Sequence, residues 1–210
     1  TDKQITQLSM DPASGYTAQN INLGKVRNRG IELLVNVTPI LTKDFKWDLS
    51  WNFTKNWNMV IDMPDELGNQ VSIYGFSGGL GLYAIEGKEM GIFMAHKALT
   101  NEKGQYVVNA QTSLPESSEE TVEIGSMNHK YQMGISNSFS YKGVSLSFDI
   151  DIRMGGLLYS RTKDIEYFTG NAIQTAYNDR NPFIVPNSVI DNGDGTYSEN
   201  NIPLYGQNIY

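Results

Sequence analysis

The chain of 210 residues lacks several residue types, and each shortage excludes a class of function. It has no cysteine, which excludes disulfide bonds and thiolate chemistry and fits an exported protein that does without disulfides. Its two histidines, His96 and His129, lie in separate segments, and no carboxylate spacing predicts a zinc site with them. The 16 basic and 23 acidic residues give a net charge of −7, and no basic patch indicates a nucleic-acid partner.

Long apolar runs are also missing. No stretch of about 20 apolar residues predicts a transmembrane helix. The mean hydropathy of −0.37 does not argue against a membrane, because the strands of a barrel bury only every second residue in lipid. What the chain has instead is long stretches in which apolar and polar residues alternate.

The clearest alternation covers residues 131–154, where two runs meet at Lys142-Gly143. A two-residue loop with glycine predicts a hairpin, because primed turns need positive φ. Tyr141 then pairs with Val144, and one face is apolar except for Asn137. The other face is small, polar or charged, and it holds Gln132, Gly134, Ser136, Ser138, Ser140, Ser145, Ser147, Asp149, Asp151 and Arg153.

The length of these strands bears on what the apolar face meets. Globular strands usually have about 5–6 residues, whereas a membrane-spanning strand needs about 9–11. Each run here is of the longer kind, and Tyr131 and Tyr141 stand at its two ends, where aromatic girdles occur in membrane barrels. An amphipathic hairpin of a soluble β-sandwich alternates in the same way, so both interpretations stay open on this hairpin alone.

A second hairpin of the same design strengthens the barrel interpretation. Its first strand puts Ile31, Leu33, Val35 and Val37 on one face, with Leu34 breaking the pattern on the other. After a short connection at 39–44, a second strand alternates Phe45, Trp47, Leu49, Trp51 and Phe53 with polar residues. We expect antiparallel strands near 25–38, 45–57, 129–141 and 144–156, with odd positions facing lipid in the first three and even positions in the fourth.

The remaining segments carry weaker patterns. Residues 1–23 indicate a strand remnant and a loop, with turn chemistry at 11–15. Glycines at 78, 79, 81, 87, 91 and 104 interrupt residues 56–130. A strand over 85–99, a turn at 101–104, a strand at 106–108 and an exposed loop at 113–120 are predicted there. In residues 156–210, Asp164 is the predicted cap of a short helix running through Ala176.

Short motifs that could indicate catalysis or cofactor binding weaken on inspection. Gly79-Leu80-Gly81 lacks a third glycine and a following helix, and no serine lies in a Gly-x-Ser-x-Gly elbow. The segment 191–195 hints at a calcium loop, but a glycine-rich turn between short strands explains it better. A polar barrel wall explains Asp149 and Asp151 more simply than a catalytic pair does. The sequence therefore predicts no enzyme and no cofactor.

Three groups of residues carry a resemblance to a known family. The first is 22–33 (Asn-Leu-Gly-Lys-Val-Arg-Asn-Arg-Gly-Ile-Glu-Leu), followed by Thr38-Pro39-Ile40 and the run at 44–49. The second is 124–131 (Ile-Gly-Ser-Met-Asn-His-Lys-Tyr) with the hairpin after it, and the third is 181–189 (Asn-Pro-Phe-Ile-Val-Pro-Asn-Ser-Val). Together they resemble the second half of the barrel of SusC/RagA-type TonB-dependent outer-membrane transporters of the Bacteroidetes.

The resemblance implies an all-β fold, a portion of an antiparallel transmembrane β-barrel with short periplasmic turns and long extracellular loops. Residues 1–210 would form part of that barrel, without the TonB box, the plug domain and the remaining strands. The implied function is energised import of oligosaccharides or peptides across the outer membrane. The implied partners are a SusD-like surface lipoprotein, the TonB–ExbB–ExbD energy system and outer-membrane lipid.

Inward-facing polar residues are the only candidate site residues, namely Glu32, Asn36, Asp149, Asp151 and Arg153 as residues lining the lumen. Three alternatives stay open. They are a soluble β-sandwich that binds carbohydrate, a TonB-dependent receptor for siderophores or vitamins, and a plain porin.

Overall fold

The computed structural model describes residues 2–9, 13 and 15–204. The chain divides into two compact units, the first made of Thr1–Met94 with Glu123–Leu157 and the second of Ala95–Val122 with Leu158–Tyr210. Antiparallel strands dominate, as the sequence predicts. Within the described residues, no helix combines the length and apolar character needed to cross a membrane.

Twelve strands and one α-helix are described. The strands are β1 (Asp2–Ser9), β2 (Ala18–Leu41), β3 (Phe45–Asp62), β4 (Gln70–Gly75), β5 (Gly81–Ile85), β6 (Ile92–Ala98), β7 (Tyr106–Val108), β8 (Ser117–Ser126), β9 (Tyr131–Tyr141), β10 (Val144–Met154), β11 (Ser188–Asp191) and β12 (Tyr197–Glu199). The helix α1 is Arg161–Phe168, and 3₁₀ turns occur at Asp65–Leu67, Ser77–Gly79 and Ile173–Arg180.

A five-stranded antiparallel sheet in the order β1-β2-β3-β9-β10 dominates the first unit. The predicted hairpin at Lys142-Gly143 is confirmed, and Tyr141 pairs with Val144 in the expected register through to the pair of Tyr131 with Met154. Lys142 and Gly143 have φ of 45° and 87°, the two positive values that a type I′ turn requires. Glycine takes this conformation without a steric penalty.

The hairpin of β2 and β3 is also confirmed, but its strands are longer than predicted. Strand β2 begins at Ala18 within the segment expected to be loop, and β1 pairs with it as the expected strand remnant. Of the predicted turn at 11–15, residues 11, 12 and 14 lie outside the described residues. Pro39 lies inside β2, where the register shifts between Val37 and Ile40; such an irregularity is one of the few places where a strand tolerates proline.

The pairing of β3 with β9 joins the two hairpins and was not predicted. It runs from Phe45 opposite Tyr141 to Thr54 opposite Gln132 without a register shift. Residues 63–130 are therefore an insertion between two strands that are neighbours in the sheet.

The expected strand over 85–99 is wrong in its first half. Strand β5 ends at Ile85, and β6 begins only at Ile92. Gly87 and Gly91, with φ of 76° and 91°, turn the chain between them. The predicted turn at 101–104 is confirmed by the bond from the N–H of Gly104 to the carbonyl of Asn101, 3.0 Å long, and β7 follows it.

The exposed loop predicted at 113–120 is wrong at both ends. Ser113 is fully buried, and its hydroxyl donates to the carbonyl of Ile202 at 2.6 Å. From Ser117 the chain is already in β8. The Pro, Ser and Glu content that indicated a loop did not reveal these tertiary contacts.

The predicted helix is displaced. Ser160, not Asp164, is the N-cap, since its hydroxyl accepts from the N–H of Lys163. Asp164 lies in the first turn and accepts from Tyr159 and Arg161. The helix ends at Phe168, and only 3₁₀ turns follow at Ile173–Arg180.

The segment 191–195 covers the last residue of β11 and the turn that leads to β12, as the simpler interpretation predicted. Asp191 accepts from the N–H of Gly193 and Asp194 from the N–H of Thr196, at 2.8 and 2.9 Å. The hydroxyl and the N–H of Thr196 hold the pKa of Asp194 below its ordinary value. These carboxylates thus serve the turn itself.

A cysteine pair tests the unpredicted pairing of β3 with β9, because the chain has no cysteine of its own. Ser50 and Ser136 are paired across the two strands, and Cα atoms of such pairs lie about 4.5–5.5 Å apart, within the range of a disulfide. We expect Ser50→Cys/Ser136→Cys to form a disulfide under oxidation, detected by a mobility shift that reductant reverses. The diagonal pair Ser50→Cys/Ser138→Cys is the control and should form little, since diagonal neighbours are about 7–8 Å apart.

Candidate functional site

The large sheet has a polar face, which we call the polar wall. It consists of even positions of β2, β3 and β9 and odd positions of β10. These positions share one face because the pairing has no register shift from Val26 to Val37 between β2 and β3, and none between β3 and β9 or between β9 and β10. Its members include Glu32 and Asn36 in β2; Lys46, Asp48, Ser50, Asn52 and Thr54 in β3; Gln132, Gly134, Ser136, Ser138 and Ser140 in β9; and Ser145, Ser147, Asp149, Asp151 and Arg153 in β10.

The five predicted site residues all lie on this wall. Glu32 is opposite Thr54, and Asn36 is opposite Ser50. In β10, Asp149, Asp151 and Arg153 are opposite Ser136, Gly134 and Gln132. Asn36 and Asp149 line one shallow concavity of about 390 Å³, together with Ser50, Ser136 and Ser147. That these residues line a transport lumen stays a prediction.

Short hydrogen bonds and ion pairs link the side chains of the wall across and along its strands. Asp48 accepts from the hydroxyl of Thr38 and pairs with Lys46, both at 2.7 Å. The hydroxyls of Ser138 and Ser147 are 3.1 Å apart. Asp151 forms an ion pair with the guanidinium of Arg153 at 3.4 Å. A carboxylate paired in this way has a structural role on the wall.

Gly134 leaves space on the wall for its neighbour Asn52. A Cβ built on Gly134 would stand 2.6 Å from the amide nitrogen of Asn52. The absence of a side chain in β9 therefore makes room for the amide of β3.

The opposite, apolar face of the sheet is exposed in the described structure. Ile31 and Leu33 are 49% exposed, and Val144 and Leu146 are 72% and 62% exposed. Asn137, the polar exception on this face of the β9–β10 hairpin, accepts a hydrogen bond from the indole Nε1 of Trp47 at 3.2 Å. This side chain thus has a partner on the same face.

Aromatic rings bound this apolar face at both ends. Near the turns, the ring of Phe139 lies 5.6 Å from that of Trp47 and 6.3 Å from that of Phe45. At the far end, the rings of Phe53 and Tyr131 are 5.7 Å apart, and the ammonium of Lys55 lies 4.6 Å from the ring centre of Trp57. The sequence placed Phe45, Trp47 and the two tyrosines at these ends but missed Trp57.

Sequence reasoning also missed a change at the far end of the polar wall. Val26 and Val60 are paired, occupy even positions and are 2% and 0% exposed. They pack with Met63, Val71 and Ala84 in a small core. Two apolar residues at even positions were a visible signal that something covers the wall here.

Comparisons with known proteins agree with this architecture, although no family model matches. The chain is 25% identical over 175 residues to TonB-dependent receptor SusC of Bacteroides thetaiotaomicron, covering 76% of the chain and 17% of that protein. It is 32% identical over 94 residues to TonB-dependent receptor P39 of Formosa agariphila, covering 44% of the chain and 9% of that protein. The chain thus spans less than a fifth of these relatives.

Solved structures of the RagAB peptide importer have a similar fold. The open-open state matches with a TM-score of 0.54 and 22% identity, over 74% of the chain and 17% of the importer chain. The closed-closed state matches with a TM-score of 0.55, also at 22% identity, over 74% of the chain and 18% of the importer chain. The resemblance to SusC/RagA-type TonB-dependent receptors, predicted from the sequence, is confirmed.

Proposed function

Starting from this similarity to SusC-type TonB-dependent receptors, we propose that the chain forms part of the barrel wall of an outer-membrane transporter that imports oligosaccharides or peptides. The relatives are receptors and an importer, and no motif of the chain predicts catalysis.

The observation that carries this proposal is the exposed apolar face with aromatic rings at both ends. Trp57 follows Trp47 by ten positions on β3, which is about 33 Å along a strand. With the tilt of about 45° usual in a barrel, the rings are about 23 Å apart along the membrane normal, close to the apolar band of about 25 Å in outer-membrane barrels. A soluble protein with this face uncovered would aggregate, because patches of this size are not tolerated in water.

A β-sandwich makes a different demand on the same face. It needs a second sheet packed about 10 Å away, which would bury the apolar side chains of the first. Residues such as Leu146 and Ile150, 62% and 44% exposed, are not covered by any described part of the chain. This exposure favours lipid over a second sheet.

The polar wall then faces the lumen, and Glu32, Asn36, Asp149, Asp151 and Arg153 contact water, ligand or a plug. Uptake is driven through the TonB–ExbB–ExbD system, and a SusD-like surface lipoprotein is the partner at the cell exterior. Support for both partners comes from the similarity to SusC and to the RagAB importer.

The proposed orientation follows from the lengths of the connections. The strands β2 and β3 are joined by residues 42–44, and β9 and β10 by Lys142-Gly143, whereas residues 63–130 and those after β10 are long. Bacterial outer-membrane barrels have short periplasmic turns and long extracellular loops. The insertion 63–130 and residues 155–204 therefore face the outside.

Two arginine substitutions at neighbouring positions of β10 test which face meets lipid. We expect Ile150→Arg to lower the free energy of unfolding in bilayers by about 2–4 kcal/mol, since an arginine near the bilayer midplane must leave water. Asp149→Arg, the matched control, should cost much less because its side chain points to the polar wall. Urea unfolding in lipid vesicles, with the longer protein that the proposal requires, gives both values; equal costs would reject the assignment of the faces.

Protease added to intact cells tests the orientation. Cleavage is expected within 105–122 and 160–204, which lie in the long connections. Lys142 should be cut by trypsin only after permeabilisation, because it stands in a periplasmic turn. If Lys142 is cut first in intact cells, the orientation is the reverse.

Energised import is tested by uptake. Cells that express the longer protein should accumulate labelled oligosaccharide or peptide, and deletion of TonB should abolish this accumulation while leaving the amount of protein in the outer membrane unchanged. Uptake that persists without TonB would favour a porin-like pathway instead.

A further inference from the structure

The insertion between β3 and β9 begins by folding over the polar wall. Val60 lies on the same face of β3 as Asn58, Asn56 and Thr54, since β3 has no register shift between them. This valine is fully buried by residues that follow β3, among them Met63, Val71 and Ala84. We call residues 63–91, which provide this cover, the shelf.

The shelf is held to the wall by directional bonds as well as by its core. The N–H and carbonyl of Val60 bond to the carbonyl of Lys88 and the N–H of Gly87, both at 2.9 Å. The side-chain carbonyl of Asn58 accepts from the N–H of Met90 at 2.8 Å. These bonds fix the turn 86–91 at the edge of β3 beyond the last pair with β9.

Residues 126–128, which precede β9, form hydrogen bonds to the other side of this turn. The hydroxyl of Ser126 donates to a carboxylate oxygen of Glu89 at 2.6 Å, and the amide of Asn128 donates to the carbonyl of Met90 at 2.9 Å. The N–H of Met127 donates to the carbonyl of Gly91 at 2.9 Å. Gly91 has φ of 91°, and a Cβ there would overlap the thioether of Met127, so the contact needs a glycine.

Under this turn the wall and the shelf enclose a recess of about 290 Å³. Its polar lining comes from both parts, with Thr54, Asn56, Asn58 and Gln132 from the wall and Glu89, Asn128 and His129 from the segments above it. In the described part of the chain, the hydroxyl of Thr54 and the amide of Asn56 make no hydrogen bond to protein, and both side chains are exposed. The recess is therefore close to the lower size limit of small-ligand pockets and presents groups ready to bind.

The chemistry of these groups selects the ligand. A hydroxyl or carboxamide side chain both donates and accepts hydrogen bonds, as each hydroxyl of a sugar does. No lysine or arginine is among the described residues that line the recess, and its one imidazole, that of His129, lies 3.5 Å from the amide nitrogen of Gln132. A carboxylate, sulfate or phosphate of a ligand would therefore meet the carboxylate of Glu89 with no permanent cation to balance it. A neutral, hydroxyl-rich ligand satisfies this lining better than a charged one.

We propose that this recess is a subsite for one unit of an uncharged oligosaccharide, held by Thr54 and Asn56 under the shelf. The proposal rests on the proposed transport function, because that function makes the polar wall the ligand-facing side. The rigid attachment of the shelf keeps the donors and acceptors in place before the ligand arrives, which lowers the entropic cost of binding.

The test uses the longer protein, purified from the outer membrane in detergent, and calorimetric titration with neutral oligosaccharides from starch, cellulose, xylan and mannan. For the panel member that binds, Thr54→Ala/Asn56→Ala should weaken binding about tenfold or more, because two hydrogen bonds are lost. The matched control is Thr100→Ala/Ser117→Ala, which removes two exposed hydroxyls that lie outside both the polar wall and the recess. It should bind within about twofold of the unmodified protein, since neither side chain faces the proposed ligand.

Each other outcome contradicts a definite part of the inference. Equal binding by the recess variant and the control would exclude the recess as a subsite while leaving import intact. Binding of uronate oligosaccharides or of peptides, weakened in the same way by the recess variant, would overturn the ligand class, and so would failure of every neutral oligosaccharide to bind. Loss of the unmodified protein from the outer membrane would instead count against the proposed function. Heat-modifiable gel mobility of both variants checks that the barrel has formed.

Discussion

The register between neighbouring strands is the constraint on which the rest of the structure depends. Side chains of a strand alternate strictly between two faces, so a slip of one residue would exchange the apolar face with the polar wall along the whole strand. The structure keeps one register over ten pairs between β3 and β9 and over eleven between β9 and β10. The one irregularity near the turns, between Val37 and Ile40, brings an even-numbered isoleucine opposite Trp47, and so returns an apolar side chain to the apolar face after Pro39.

The sequence predicted the parts of the fold that local rules determine. Lys142-Gly143 specified both the turn and the register of its hairpin, because few residue pairs accept positive φ twice. The five candidate wall residues were placed on one face by period two alone, and the structure has them there. The adjacency of β3 and β9 could not be predicted in this way, since it depends on contacts between segments separated by the whole insertion.

Where the sequence misled, tertiary contacts had overridden local composition. Ser113 and its neighbours have the composition of an exposed loop, yet the serine is buried because its hydroxyl reaches the carbonyl of Ile202. The strand expected over 85–99 has suitable apolar residues, but the chain turns there because the N–H of Gly87 donates to the carbonyl of Val60 and the carbonyl of Lys88 accepts from the N–H of Val60. Ser160 and Asp164 are both good helix caps by type, and only the position of the N–H of Lys163 decides between them.

The alternation of apolar and polar residues that gives the sheet its two faces also explains the shelf. Over most of β3 the even positions are polar because they face water, and an apolar residue there would be exposed without benefit. At Val60 the pattern changes, because the chain returns over that face and supplies Met63, Val71 and Ala84 to bury it. Asn58 and Asn56 are the next even positions toward the β2–β3 turn, and both are polar. The cover over β3 stops at Met90, whose N–H donates to the side-chain carbonyl of Asn58. The change from valine to asparagine at consecutive even positions of β3 therefore marks where the covered part of the polar wall ends, and this boundary lies at the recess.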